Sequence, residues 1–155
     1  MNKLRKFLQL NQSERWTLVM ALALVPLMAL ILRMVGLRRC RRMLSFFISQ
    51  DFLPKIEQSE KIIFQALRVN HLVGLAVRHG IYPANCLQRS LALWWLLHRQ
   101  GIQSELRFGT RKAEGRFEAH AWVEVGGVVV NDSDDVRLRY SPFDRAIIRG
   151  AAEFL

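Results

Sequence analysis

Cys86 has the setting of a thiol nucleophile. It lies in PANCLQRSLALWWLLHRQG, residues 83–101, where apolar residues recur at spacings of three and four and predict an amphipathic helix. Asn85 is a candidate N-cap and Gly101 a C-terminal stop, so Cys86 falls in the first turn. Unpaired backbone N–H groups at that end of a helix favour a thiolate. The alternative is a structural role, because free cysteine is among the most buried residue types.

His120 is the candidate base for such a nucleophile. It lies in FEAHAWVEV, residues 117–125, where alternation predicts a strand. His120, Trp122 and Glu124 share one face, and the small and branched residues between them share the other. We interpret the remaining histidines as structural: His71, His79 and His98.

The turn after this strand decides which residue meets His120. With a two-residue turn at 126–127, His120 would oppose Ser133, and Asp132 would face the other side. A three-residue loop over 125–127, with a G1 bulge, would set Asp132 directly opposite His120. Directly opposed side chains lie about 5 Å apart at Cβ, within reach of an imidazole–carboxylate hydrogen bond. We therefore predict the three-residue loop.

A nucleophile, a base and an orienting carboxylate form the set used in nucleophilic catalysis. Cys86, His120 and Asp132 supply these three types of group with compatible geometry. Asp134 and Asp135 are competing orienting groups, but they lie beyond the predicted strand. The cysteines and histidines lack zinc-like spacing, so we expect no metal site.

The elements that carry these residues predict an α+β fold. A helical N-terminal half is expected, followed by the nucleophile-bearing helix packed on a small antiparallel sheet. Pro26 should kink or divide the first helix. The expected helices are an apolar one at 16–32 capped by Asn11 or Ser13, a basic one at 37–50 that ends before Pro54, one at 59–79, and the Cys86 helix. The expected strands are 102–109, 117–125 and 128–132, with a polar turn at 110–116.

Composition narrows the class of protein. The chain has 155 residues, a net charge of +10 and only two cysteines, Cys40 and Cys86, so a disulfide framework is excluded. No nucleic-acid-binding module is visible, and no signal peptide, which favours the cytoplasm. Basic residues flank the apolar run at both ends, which suggests contact with an anionic membrane surface, on the inner face of the cell membrane. We divide the chain into a basic, apolar helical segment at 1–57 and a globular domain at 58–155.

The segment Tyr82–Asp132 resembles a known family. Its motifs are a Cys-Leu-x-Arg helix start, a Gly-Ile…Glu-Leu…Gly strand and an AHAWVE…G…D hairpin. These resemble the leader peptidases of lasso-peptide maturation, a cysteine-protease-like branch of the transglutaminase-like fold with a papain-like core. The resemblance implies removal of a leader segment from a ribosomally made precursor peptide. It further implies a separate leader-recognition protein and an ATP-dependent cyclase that closes the freed amine on a side-chain carboxylate, with no cofactor in the peptidase.

The resemblance also implies roles for individual residues. Cys86 would be the nucleophile, His120 the general base and Asp132 the group that orients the imidazole. The Cys86 backbone N–H is a candidate oxyanion donor, with Asn85 and Gln88 as candidates for a second. The other assignments we favour are non-catalytic: Arg89 structural, Cys40 unmodified, and Trp94 and Trp95 in the core or an interface.

Two alternative functions remain open at this stage. A transglutaminase-like acyl transferase would use the same three residues but would join the acyl group to an amine. A membrane-associated adaptor that binds a peptide without catalysis would not need Cys86 at all.

Overall fold

The computed structural model describes residues 10–46, 60–113 and 115–142, of which 37–46 are described as backbone. The strands form one antiparallel sheet in the order β3-β2-β1-β4. A helical first half followed by this sheet confirms the predicted α+β class. In chain order the elements are α1 (Gln12–Phe46), α2 (Glu60–His79), α3 (Cys86–Arg99), β1 (Glu105–Ala113), β2 (Arg116–Val125), β3 (Val128–Val129), α4 (Val136–Arg139) and β4 (Ser141–Pro142).

The main core lies between the three long helices and one face of the sheet. Helix α3 is central, since it packs against α1, α2 and β2. Its Trp94 is fully buried, as predicted, and Val123 and Val125 meet the helices from the sheet. A second, smaller cluster covers the opposite face of β2 and consists of Trp122, Val129, Val136 and Tyr140.

Helix α1 is continuous across Pro26, so the prediction of a division there is wrong, while the alternative of a kink at Pro26 stays a prediction. The departure from helical geometry is at Gly36, with φ 71° and ψ 169°. Pro26 has no N–H to donate within the helix. Val25 and Met28, on either side of it, are buried in the core, and this packing stabilises the helix there. Helical backbone resumes after Gly36 as far as Phe46; the predicted end of the basic helix lies outside the described residues.

Local capping signals place the helix starts as predicted. Asn11 Oδ1 accepts the Glu14 N–H at 2.8 Å, and Glu14 Oε2 accepts the Asn11 N–H at 3.0 Å. This reciprocal pair selects Asn11 over Ser13 as the cap. Helix α2 matches the segment predicted at 59–79 to within a residue.

Strand β1 is longer at its far end than predicted, because residues 110–113 continue the ladder with β2 rather than forming a turn. Their polar side chains are compatible with a strand since they can pair across it: Arg111 Nε donates to Glu118 Oε2 at 2.7 Å. At its near end β1 begins at Glu105, three residues later than predicted.

The turn between β2 and β3 differs from the prediction. Val125 pairs with Val128 and Glu124 with Val129, so the loop has two residues, and the predicted three-residue loop with a bulge is wrong. Gly126 and Gly127 have φ values of 57° and 85°, the two positive values that a type I′ turn requires. Strand β3 also ends at Val129 and not at Asp132. Helix α4 and strand β4, which follow, were not predicted.

Candidate active site

Cys86 is the first residue of α3 and is half-buried. Asn85 precedes it as N-cap: its Oδ1 accepts the Gln88 N–H at 3.0 Å, while Gln88 Oε1 accepts the Asn85 N–H at 3.0 Å. The capping box fixes the direction in which the chain enters the helix. It also occupies the side-chain oxygens of both Asn85 and Gln88, and Gln88 Nε2 donates to the Tyr82 hydroxyl at 3.4 Å. Any oxyanion role for these two side chains stays a prediction.

His120 and Asp132 are directly bonded, with 2.5 Å between His120 Nε2 and Asp132 Oδ2. The register predicted for this contact does not occur, yet the contact is present. The reason is that the chain leaves the ladder after β3, and residues 130–132 bend back towards β2. Both side chains retain 19% exposure, so the pair is reachable from solvent. With Nε2 engaged, Nδ1 is the ring nitrogen left for proton transfer with another group.

Asp132 is held from several directions. Arg139 of α4 donates to its Oδ1 at 2.6 Å, and the Ser133 backbone N–H donates to the same oxygen at 2.8 Å. Burial by itself would raise the pKa of this carboxyl, but hydrogen bonds from His120, the Ser133 backbone and Arg139 outweigh it, and the pKa is lowered. Asp132 is therefore an ionised acceptor for the imidazole at neutral pH.

Aromatic rings fix the plane of the His120 imidazole. Tyr140 stacks on it with ring centroids 4.8 Å apart and planes 23° apart, and Trp122 lies next along the same strand face. Gly109 pairs with His120 across the ladder. A Cβ at Gly109 would lie 3.0 Å from Tyr140 Cβ, from Trp122 and from the Ser141 carbonyl oxygen, so a bare glycine lets these groups close over the histidine.

A hydrogen-bonded relay joins the elements that carry the three predicted residues. Ser90, one helical turn after Cys86, donates from Oγ to the Ala121 carbonyl oxygen at 2.9 Å. Asn131 donates from Nδ2 to Ser90 Oγ at 2.8 Å and accepts the Val123 N–H on Oδ1 at 2.7 Å. Ala121 follows His120 and Asn131 precedes Asp132, so the relay ties α3 at Ser90 to the two segments that carry the histidine and the aspartate. We call it the Ser90–Asn131 relay.

Arg89 lies on α3 between Cys86 and the relay. One of its terminal nitrogens donates to Asn70 Oδ1 of α2 at 3.1 Å. Burial lowers the pKa of this guanidinium, and the negative charge of Asp132 opposes that effect. The contact links α3 to α2, and the structural role of Arg89 stays a prediction.

Glu124 anchors α4 on the face of β2 that it shares with His120 and Trp122. Its side chain is 3% exposed and accepts from Trp122 Nε1 at 2.7 Å and from Arg137 Nε at 2.8 Å. Burial raises the pKa of the Glu124 carboxyl, but the hydrogen bonds from Arg137 and Trp122 and the charges of Arg137 and Arg107 prevail, so the pKa is lowered. Because Arg137 and Arg139 share the short helix α4, this anchor also places Arg139 on Asp132.

Sequence reasoning did not find the supporting residues Ser90, Asn131, Arg139 and Tyr140. Each lies far in sequence from the residue it supports, or on the unpredicted segment after β3, and none has a local pattern that marks it. Gly109 was part of a sequence motif, but only the packing shows why a glycine is needed at that position. Within the described ranges, no cluster of three or more metal-ligating side chains occurs.

Comparisons with known proteins identify the family of the chain. The sequence model of the transglutaminase-like superfamily matches residues 30–144, well over half of the chain. The microcin J25-processing protein McjB of Escherichia coli is 39% identical over 62 residues, which are 40% of this chain and 29% of that protein. The chain thus spans under a third of the length of this curated relative. No solved structure matches the chain. The extent of the family match shows that the chain belongs to the transglutaminase-like superfamily.

Proposed function

We propose that the chain is a cysteine peptidase of lasso-peptide maturation, which removes the leader segment from a ribosomally made precursor. The observation that carries the proposal is the His120–Asp132 hydrogen bond, tied through the Ser90–Asn131 relay to the helix that begins at Cys86. The motif resemblance to the leader peptidases and the similarity to a protein named for processing microcin J25 support the substrate class.

The mechanism follows from the roles proposed for the three residues. The Cys86 thiolate attacks the carbonyl carbon of the scissile amide, and His120 gives its proton from Nδ1 to the leaving amine. This leaves a thioester on Cys86 and releases one peptide with a free amino terminus. His120 then takes a proton from water as the water attacks the thioester. The C–S bond breaks, the second peptide leaves as a carboxylic acid that gives its proton to solvent, and the Cys86 thiolate and the protonated imidazole are restored. Asp132 keeps the imidazole in the tautomer that has Nε2 protonated.

The oxyanion formed in each step needs hydrogen-bond donors. The Cys86 backbone N–H lies at the start of α3, where helical N–H groups have no acceptor within the helix. We propose it as the first donor.

Several partners are part of the proposal. A separate protein would recognise the leader and present the precursor, and an ATP-dependent cyclase would use the amine that cleavage exposes. Since the precursor is made on ribosomes, the reaction would take place in the cytoplasm. The division of the chain at residues 57 and 58 lies outside the described residues and stays a prediction.

The test is mass spectrometry of the precursor encoded beside this chain, incubated with the recognition protein and the full-length enzyme. Wild type should give two fragments whose masses add to the precursor plus one water. Cys86→Ala, Cys86→Ser and His120→Ala should fold and give none, while Cys40→Ala serves as the matched cysteine control and should cleave normally. A product joined to an added amine would show acyl transfer instead. Cleavage by Cys86→Ala at the wild-type rate would remove the catalytic role proposed for Cys86, and binding of the precursor by wild type without cleavage would favour the adaptor.

A further inference from the structure

Helix α1 has an apolar face that the described fold leaves uncovered. We call it the outer face. Its residues follow one another at spacings of three and four, so they lie on one side of the helix. They are Trp16, Val19, Ala23, Leu27, Leu30 and Met34, all exposed and none charged. Trp16 is 66% and Met34 75% exposed, at the two ends of the face.

The opposite face of α1 is already occupied. Ala21, Leu24, Val25 and Met28 belong to the main core, where α1 packs on α2 and α3. By length and composition alone, the segment Gln12–Gly36 could cross a membrane. A helix that spans the bilayer would have lipid around it, whereas this one has a folded domain along one side. The geometry therefore fits a helix that lies in the plane of a membrane surface.

The charge of the surrounding chain indicates which surface. Between Glu14 and Asp51 the sequence has no acidic residue and six arginines, Arg15, Arg33, Arg38, Arg39, Arg41 and Arg42. Four of them follow Gly36, where the helix direction changes, so an apolar stretch is succeeded at once by a basic one. Basic residues next to an inserted apolar helix are attracted to anionic headgroups.

We infer that the outer face of α1 docks the protein on an anionic lipid bilayer, with the helix parallel to the membrane plane. Leu27 and Leu30 would enter the boundary between headgroups and acyl chains, and Trp16 would lie at the headgroup level. Arg33, which is exposed, would remain among the headgroups. This inference needs no substrate and stands whether or not the proposed peptidase activity is found.

Vesicle sedimentation with the full chain tests the inference. Vesicles of phosphatidylcholine with a quarter of phosphatidylglycerol are compared with vesicles of phosphatidylcholine alone. The test variant is Leu27→Glu/Leu30→Glu, on the outer face. The matched control is Phe117→Glu/Leu138→Glu, which changes charge equally at two exposed apolar positions on the sheet side. Circular dichroism checks that both variants fold.

Wild type and the control should bind the anionic vesicles, and the outer-face variant should bind at least about tenfold more weakly, since it loses two apolar contacts and adds two repelled charges. Alkaline carbonate should release the bound protein. Equal binding by the two variants, or no preference for anionic vesicles, would overturn the inference. Retention of the protein in carbonate would also overturn it, because that indicates a membrane-spanning helix. So would a wild-type dimer that is lost in the outer-face variant but kept in the control, because a second copy of the chain would then cover the outer face.

Discussion

Asn131 and Ser90 share a 2.8 Å hydrogen bond that connects the bend after β3 to the first turns of α3. Through this bond the position of Asp132 depends on that of the helix that begins at Cys86. Neither residue is a reactive group. Because they join the two segments without reacting, we assign them as positioning residues for the proposed chemistry.

Replacing Ser90 tests that role. Ser90→Ala removes a fully buried hydroxyl and leaves the Asn131 amide and the Ala121 carbonyl without this partner. We expect a stability loss of about 1–3 kcal/mol and a fall in kcat of about ten- to a hundredfold, with KM nearly unchanged. Urea unfolding and steady-state cleavage of the precursor measure the two effects.

Ser104→Ala is the matched control for this change. Ser104 is also buried, with its Oγ 3.2 Å from His98 Nδ1, but it follows the C-terminal end of α3. It should show a similar stability loss with normal kcat. If both variants lose activity in proportion to stability, the positioning role of Ser90 is refuted.

Gly109→Ala should disturb the packing over His120. The added Cβ would come within 3.0 Å of the Ser141 carbonyl oxygen, which is backbone and cannot rotate away. We expect a stability loss of about 1–3 kcal/mol and a lower kcat, because Tyr140 must shift from the imidazole. Thermal unfolding and cleavage kinetics report both changes.

Gly74→Ala provides the comparison for that glycine. It lies within helix α2, and nothing lies within 4 Å of where its Cβ would be. Helix propensity predicts a gain of up to about 1 kcal/mol and unchanged activity. A gain in stability in both variants would show that the groups packed over His120 do not need a glycine at position 109.

The buried and exposed carboxylates of β2 should differ in their contributions to stability. Glu124→Gln removes the charge that faces Arg137 and Arg107 in a site 3% exposed. We expect a loss of about 3 kcal/mol, because the Arg137 guanidinium loses this counter-charge, while Arg107 keeps its pair with Glu105. Glu118→Gln breaks a pair with Arg111 in which both side chains are substantially exposed, and should cost about 0–1 kcal/mol. Urea unfolding at neutral pH compares them, and equal losses would contradict the assignment of Glu124 as the anchor of α4.

Acid stability should depend on Asp132. Its pKa is lowered in the fold because hydrogen bonds from His120, the Ser133 backbone and Arg139 outweigh the opposite effect of burial. The stability this provides is complete above the ordinary value of 3.8 and is lost as pH falls through the lowered pKa. Asp132→Asn should therefore flatten the decline in the free energy of unfolding below about pH 4. Urea unfolding over a pH series tests this, and parallel curves for the two proteins would contradict it.

Some features of this protein follow from the sequence because they depend on neighbouring residues. The start of α3 is one, since Asn85 and Gln88 lie three residues apart and cap the helix by themselves. The alternation along β2 is another, because Val123 and Val125 can only face the same side. The motif resemblance also anticipated the transglutaminase-like fold.

The remaining features were decided by tertiary structure. Two consecutive glycines permit both turn lengths, and the two-residue turn is the one observed, with Val125 paired to Val128. Asp132 reaches His120 because the chain leaves the ladder after Val129. There the Val123 N–H donates to the Asn131 side-chain oxygen and not to a backbone carbonyl. Arg139 and Tyr140 contact the His120–Asp132 pair from the segment after β3, whose sequence has no clear helical or strand periodicity. By itself the sequence determined where the nucleophile-bearing helix begins and which residues share a face, since these depend on contacts within a few residues. The tertiary structure decided which groups meet across the site, because those contacts depend on packing between elements distant in the chain.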